Sequence, residues 1–141
     1  MKEKELYEKL PELISAYNES VNMSLKRKII TGKITDLKAR KQAKFNGVYI
    51  IIGPEGDVLY VGSAFAKTFP VSRRLYGEYA GNNIDSCFKK RLSEVKNMTS
   101  EETSKYARDC SFIAIECESL EYFLMNCIPG LINKKGYKNV T

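Results

Sequence analysis

This chain of 141 residues contains no histidine. That removes Ser/His and Cys/His nucleophilic catalysis and imidazole general-base chemistry, leaving Tyr, Glu, Asp, Lys or a metal-bound water to move protons. Side chains of those types fall in a definite order. Tyr49 and Tyr60 stand either side of a turn-forming cluster, Arg73 and Arg74 follow, and Glu116, Glu118 and Glu121 come before Asn133. The cysteines Cys87, Cys110, Cys117 and Cys127 show no C-x-x-C spacing and have no histidine to complete a mixed zinc site. They are expected as buried, reduced thiols.

The element that must position the two tyrosines is a β-hairpin over residues 47–62. β-Branched and aromatic residues fill both arms, around a turn cluster of Gly53, Pro54, Glu55, Gly56 and Asp57. Each arm carries a Gly and a Tyr, as Gly47-Val48-Tyr49 and as Tyr60-Val61-Gly62. Two phenols then sit on adjacent strands, with the backbone closely approached beside each.

That symmetric pair, followed in order by the Arg pair, Glu121 and Asn133, resembles the signature of the GIY-YIG nuclease family. The resemblance covers residues 45–137. It implies an endonuclease that hydrolyses DNA phosphodiesters with one Mg2+ (or Mn2+) ion. Such hydrolysis needs an activated water, neutralised charge on phosphorus and a stabilised leaving oxygen, and a carboxylate-held divalent cation meets the last two needs. Glu121 is the candidate metal ligand, because it follows a strand, lies near the start of a helix and precedes Asn133 by twelve residues, a spacing similar to the family's. Glu116 and Glu118 compete with it and are expected in surface or capping roles.

By the same resemblance, Tyr49 positions the attacking water or takes its proton, and Tyr60 completes the site. A phenol with a pKa of about 10 needs a neighbouring cation for that role, from Arg74 or the metal. Arg74 would grip the scissile phosphate through its planar fork of donors. It is followed by Leu75, as the family's Arg commonly is by a large apolar residue, although Arg73 competes with it. Asn133 is expected as a positioning residue. The chain departs from the family in three places. The loop after Gly62 is longer, Asp57 replaces a Lys that some members carry before the second Tyr, and Glu78 occupies the place four residues after Arg74 where the family often has His or Tyr. Tyr76 and Tyr79 flank that place.

Charge supports a polyanionic partner. The net charge is +6 and the pI about 9.1. Residues 1–20 hold three Lys against five Glu, whereas residues 24–44 carry Lys26, Arg27, Lys28, Lys33, Lys38, Arg40, Lys41 and Lys44 against Asp36 alone. Lys26, Arg27, Lys28, Lys38, Arg40 and Lys41 are expected DNA-phosphate contacts, joined by Arg73, Lys89, Lys90, Lys134 and Lys135.

Around the hairpin, apolar spacing predicts an amphipathic helix over residues 4–17 with an obstacle at Pro11, and further helices over about 21–30 and 35–44. Short helices are expected over 71–79 and 85–96, the second with Ile84, Phe88, Leu92 and Val95 inward and Lys89, Lys90 and Lys96 outward. A capping box at Thr99 to Glu102, a strand over 110–117 and a helix over 118–127 complete the pattern.

The expected fold is α/β, with a small three-stranded, mostly antiparallel sheet flanked by helices: a basic helical extension (1–44) before a GIY-YIG-like domain (45–141). No apolar run reaches the ~20 residues of a membrane span, so a cytoplasmic protein without a membrane partner is expected. The short segment after Asn133 suggests a compact restriction-like or mobile-element nuclease. The alternative is a nucleic-acid-binding module that keeps the fold without turnover.

Overall fold

The computed structural model describes residues 1–21, 28–65, 70–80 and 87–132, without the side chains of Glu78 and Glu118. The sheet is built from β1 (Ile29–Lys33), β2 (Gly47–Ile52), β3 (Val58–Ala64) and β4 (Ser111–Ile115), in the order β1-β4-β2-β3 with every neighbouring pair antiparallel. The expected three strands are therefore corrected to four.

The added strand is β1. Ile29, Ile30 and Thr31 are β-branched, a poor fit to the helix expected there and a good one to a pleated surface. Its partner lies far along the chain, with Ile29 opposite Ile115. Residues 1–44 are consequently not a helical extension alone. They give the common sheet an edge strand.

Among the described residues six α-helices pack on this sheet: α1 (Glu3–Ser20), α2 (Leu37–Gln42), α3 (Val71–Leu75), α4 (Cys87–Lys96), α5 (Ser100–Arg108) and α6 (Glu121–Cys127). Because side chains alternate along a strand, β2 feeds two cores. Val48, Ile50 and Ile52 face a core completed by Leu6, Leu10 and Tyr17 of α1 and by Leu124 and Met125 of α6. Tyr49 and Ile51 face the other, completed by Ala39 of α2, Val71 and Leu75 of α3, Phe88 and Leu92 of α4, and Ala107 of α5. All six residues of β2 are buried as a result.

Helix α1 runs through Pro11 as one element and does not begin afresh at that obstacle. Its start is fixed to the hairpin turn, with Val58 N donating to Met1 O at 2.8 Å and Glu3 N donating to Gly56 O at 2.7 Å. The capping box forms as its sequence dictates: Glu102 N donates to Thr99 Oγ1 and Thr99 N to Glu102 Oε1. No helix among the described residues is long and apolar enough to cross a membrane.

Two thiols depart from expectation. Cys110 and Cys117 are buried, whereas Cys87 and Cys127 are exposed. Burial, followed by the charges of Glu55 and Asp109, pushes the Cys110 thiol up to about 12. It is inert in that state.

Candidate functional site

Strand register decides what the two hairpin tyrosines can do together. Tyr49 stands opposite Gly62, and Tyr60 opposite Ile51. The phenols are therefore diagonal neighbours on one face of the sheet, close enough for large side chains to share surroundings. A side chain on Gly62 would be 2.3 Å from Tyr49 Cζ and 2.4 Å from Tyr49 Oη. The ring of Tyr49 lies directly over that glycine. Gly47 has a parallel reason, since a Cβ there would come within 2.1 Å of Ile115 O on β4. Each glycine of the symmetric pair is thus required by a close approach, one by a phenol and one by the backbone.

Helical aromatics enclose the pair. Tyr79 meets Tyr49 edge-on at 5.6 Å, Phe88 meets Tyr60 at 5.4 Å, and Tyr79 and Phe88 are 4.8 Å apart. Edge-to-face contacts of this kind contribute about 0.5–1.5 kcal/mol each beyond area burial and fix ring orientation. Tyr49 and Tyr79 are buried and Tyr60 is half-buried, so the cluster opens outward on the Tyr60 side.

Tyr79 is buried in the same core as Val71 and Leu75, with which helical spacing aligns it, and its place relative to Arg74 follows from local geometry. After α3 the chain does not continue as an α-helix but makes a π-helical turn over Tyr76–Ala80. The i→i+5 bonding of such a turn fits an extra residue into it. Tyr79, five residues after Arg74, then occupies the place one turn along that spacing alone gave to Glu78. Nothing in the sequence marks that extra residue except the Tyr one step late.

The Arg pair divides between two surfaces. Arg74 is half-buried with its Nε enclosed, whereas Arg73 is exposed and lines a cleft of about 350 Å3 with Leu37, Arg40, Lys41, Ser72, Tyr76 and Gly77. The walls of this cleft are tied together by the backbone: Val71 N donates to Phe45 O and Ser72 N to Ala43 O, both at 2.9 Å.

Glu121 comes from the other layer. It opens α6 on the same stripe as Leu124 and Met125, the stripe that packs on the Val48 face. Its position along the sheet is nevertheless the Tyr49 end. Cys117 abuts Gly47, the chain turns through a 3-10 segment at Glu118–Leu120 that packs on β2, and Glu121 follows. Helix α1 holds that turn in place, through a hydrogen bond between the Tyr17 and Ser119 hydroxyls and an edge contact of Tyr17 with Phe123 at 5.6 Å. Glu116 is exposed, with its N–H donating to Lys28 O at 2.9 Å.

Two expected phosphate contacts are corrected. Phe88 and Leu92 turn inward as expected, but Lys89 joins them at 1% exposed while Val95 turns out. Burial, then the positive charge of Arg108, pushes its ammonium below the usual range. Arg40 is 7% exposed, with its guanidinium donating to Ile34 O and lying 5.7 Å from the centre of the Tyr76 ring. Neither is laid out along an open surface. Lys28, Lys38, Lys41, Arg73 and Lys90 are exposed as expected, while Lys26, Arg27, Asn133, Lys134 and Lys135 lie outside the described residues.

The donor chemistry sets limits on a metal. Among the described residues no group of three or more His, Cys, Asp or Glu converges. Magnesium commonly keeps several waters and takes only one or two carboxylates together with substrate phosphates, so a lone Glu121 suits that class of ion and not a fully protein-ligated one. Comparison of the chain with family models, curated proteins and solved structures finds no match in any of the three.

Proposed function

We propose that this chain is a metal-dependent DNA endonuclease of the GIY-YIG type. The observation that carries this reading is the phenol of Tyr49 lying over Gly62, where a Cβ would be 2.3 Å from the ring. The glycine and tyrosine of the signature pack against each other across the hairpin, which supports reading them together. The π turn that brings Tyr79 against Tyr49 and the enclosed Arg74 one turn earlier supply further support.

In this reading a scissile phosphate sits at the open side of the aromatic cluster. Arg74 pairs with its non-bridging oxygens and offsets the charge that grows on them. Tyr49 orients the attacking water, with Tyr60 beside it, and Glu121 holds one magnesium or manganese ion. That ion would supply Lewis-acid stabilisation of the leaving oxygen. The ring contacts hold Tyr49 still, so little reorganisation is needed when phosphate arrives.

The test pairs cleavage with binding for wild type and Glu121→Gln. Nicking of supercoiled plasmid in magnesium should be lost in the variant, because the amide keeps the size and removes the charge that holds a hard cation. DNA binding without metal should be undiminished, since a carboxylate facing phosphates is repulsive. Full activity in the variant would move the ligand to Glu116 or Glu118. A binding module without turnover is the second reading, favoured by Glu78 and Asp57 at places where the family often carries other residues. It gains if wild type cuts no DNA substrate with either metal.

A further inference from the structure

The cleft between α2 and α3 combines features that the cleavage site does not use. Its described lining holds three cations, Arg40, Lys41 and Arg73, and no carboxylate. Two large apolar side chains in it are left open to solvent, Tyr76 at 62% and Leu37 at 54%. Folding gains nothing from exposing them. Arg40 is the built part of the site: it is buried, anchored by its bond to Ile34 O, and fixed over the Tyr76 ring. A cation held that far from water, beside an aromatic ring and two exposed cations, favours an anion carrying a flat apolar group.

The geometry points to this cleft as a seat for one unstacked nucleotide of a DNA strand, its base against Tyr76 and Leu37 and its phosphate between Arg73 and Lys41. A cationic groove with an exposed aromatic is the combination that single strands use, because every base has a π-face and every linkage a charge. Duplex DNA keeps its bases stacked and would leave Tyr76 without a partner. An acidic peptide would use the cations and not the ring. The volume, about 350 Å3, lies at the lower end of the range for small-molecule pockets, which suits one nucleotide and not a stack of them.

This inference rests on the nucleic-acid reading above and adds a substrate class to it. Arg73 lines the cleft and Arg74 is the next residue of α3, so the cleft adjoins the residue to which the proposed function gives the scissile phosphate. A strand whose scissile phosphate meets Arg74 can leave a neighbouring nucleotide in the cleft. The preferred substrate is then DNA with unpaired nucleotides beside the cut, such as a flap, a fork or a gap.

Binding measured in chelator, where no cleavage can occur, tests it separately from the catalytic reading. The probes are a short oligothymidylate and an abasic strand of equal length and charge. Wild type should bind the base-bearing strand about tenfold more tightly, the size of one base–aromatic stack. Tyr76→Ala should abolish the difference and Tyr76→Phe should keep most of it. The exposure of Tyr76 makes both variants compatible with folding, which a melting curve verifies. Lys41→Gln should weaken both strands alike and reduce the log–log salt slope by about 0.7.

Equal binding of the two strands by wild type, full affinity in Tyr76→Ala, or absence of DNA binding would each overturn the proposal. So would equally effective competition by a poly-glutamate peptide of matched charge. If plasmid nicking remains dependent on Glu121 while the strands bind equally, the cleft assignment fails and the endonuclease reading stands. If the base preference is present and no DNA is cut, the cleft assignment stands and the endonuclease reading fails.

Discussion

At the turn end of the β2–β3 hairpin, Tyr106 of α5 donates to Glu55 Oε2 at 2.8 Å and Lys2 pairs with Asp57 at 2.7 Å. At the open end, Tyr49 lies over Gly62 against Tyr79, with Arg74 and Arg73 on the adjoining helix. Both ends use a phenol beside a closely approached glycine, since a Cβ on Gly53 would be 2.7 Å from Tyr106 Oη. They differ in how charge is matched. At the turn end each carboxylate has a donor or a cation, and Lys96 covers the Tyr106 ring at 5.4 Å. The described lining of the cleft near the open end has cations only. Paired groups hold the turn closed, whereas clustered cations raise the local potential towards an anion.

The largest predicted difference lies within the Arg pair. If the open end is a phosphate site, Arg74→Ala should lower the cleavage rate at least ~100-fold, the scale of losing one preorganised donor to a charged transition state. Arg73→Ala should act mainly on binding, because Arg73 is exposed in the cleft while the Arg74 Nε is enclosed. Single-turnover rates at saturating protein separate the two. The opposite ranking would move the scissile phosphate into the cleft and erase the distinction between the two surfaces.

Gly62→Ala comes next. The new Cβ must displace the ring of Tyr49, which is 2% exposed and hemmed in by Tyr79. Overpacking of this kind costs about 1–3 kcal/mol, and it should lower both the melting temperature and the cleavage rate. Pairing the change with Tyr49→Ala should cost less stability than the two single losses added together, without recovering activity. A Gly62→Ala protein as stable and active as wild type would detach the glycine from the phenol.

What the sequence made legible was local, and what it concealed was not. The hairpin, the capping box and β4 announce themselves within a few residues, through turn chemistry, a Thr and a Glu three apart, and a β-branched run. Strand β1 has equally suitable residues but pairs with a strand more than seventy residues later, so nothing nearby separates it from a helix. The inward turn of Lys89 is tertiary too: a lysine on an amphipathic pattern reads as outward until packing decides otherwise. At the site, Tyr49, Tyr60 and Arg74 could be read from order and spacing. The shared stripe of Val71, Leu75 and Tyr79 could be read as well, but not the contact of Tyr79 with Tyr49, which is tertiary, and the cleft of Leu37 and Tyr76 joins helices from either side of the hairpin.

At the turn end the expected effects are smaller and concern stability. Tyr106→Phe removes one hydrogen bond to a carboxylate and should cost about 1 kcal/mol, with cleavage unchanged. Burial first, and then the bond to Glu55, raise the Tyr106 pKa above the ordinary phenol value of 10.0. A phenol raised in the folded state adds stability that is fully present below that value and is lost as pH rises through the folded pKa. Wild type should therefore lose stability at alkaline pH faster than Tyr106→Phe. Parallel alkaline profiles would remove Tyr106 from the clamp.

The smallest effect belongs to Asp57, and its sign is opposite. The Lys2 hydrogen bond, with the Lys2 charge behind it, lowers the carboxyl below its ordinary 3.8. Between the depressed folded pKa and that ordinary value the unfolded chain binds more protons than the folded one, so stability rises with pH across the window. The contribution is complete above 3.8 and disappears as pH falls through the folded pKa. Both partners are well exposed, at 65% and 44%, so salt should screen the pair and the gain over Asp57→Asn should be slight even at neutral pH. Melting curves of wild type and Asp57→Asn, taken from neutral to strongly acidic pH at low and high salt, provide the measurement. The curves should be separated at neutral pH and low salt, and should converge on acidification or on adding salt. A separation that survives both would mean that Asp57 acts through the backbone of the turn, where residue 57 bridges to Lys2 and its O accepts from Gly53 N, and not through its charge. The clamp would then be one of main-chain pairing, and the contrast in charge between the two ends would rest on Glu55 and Tyr106 alone.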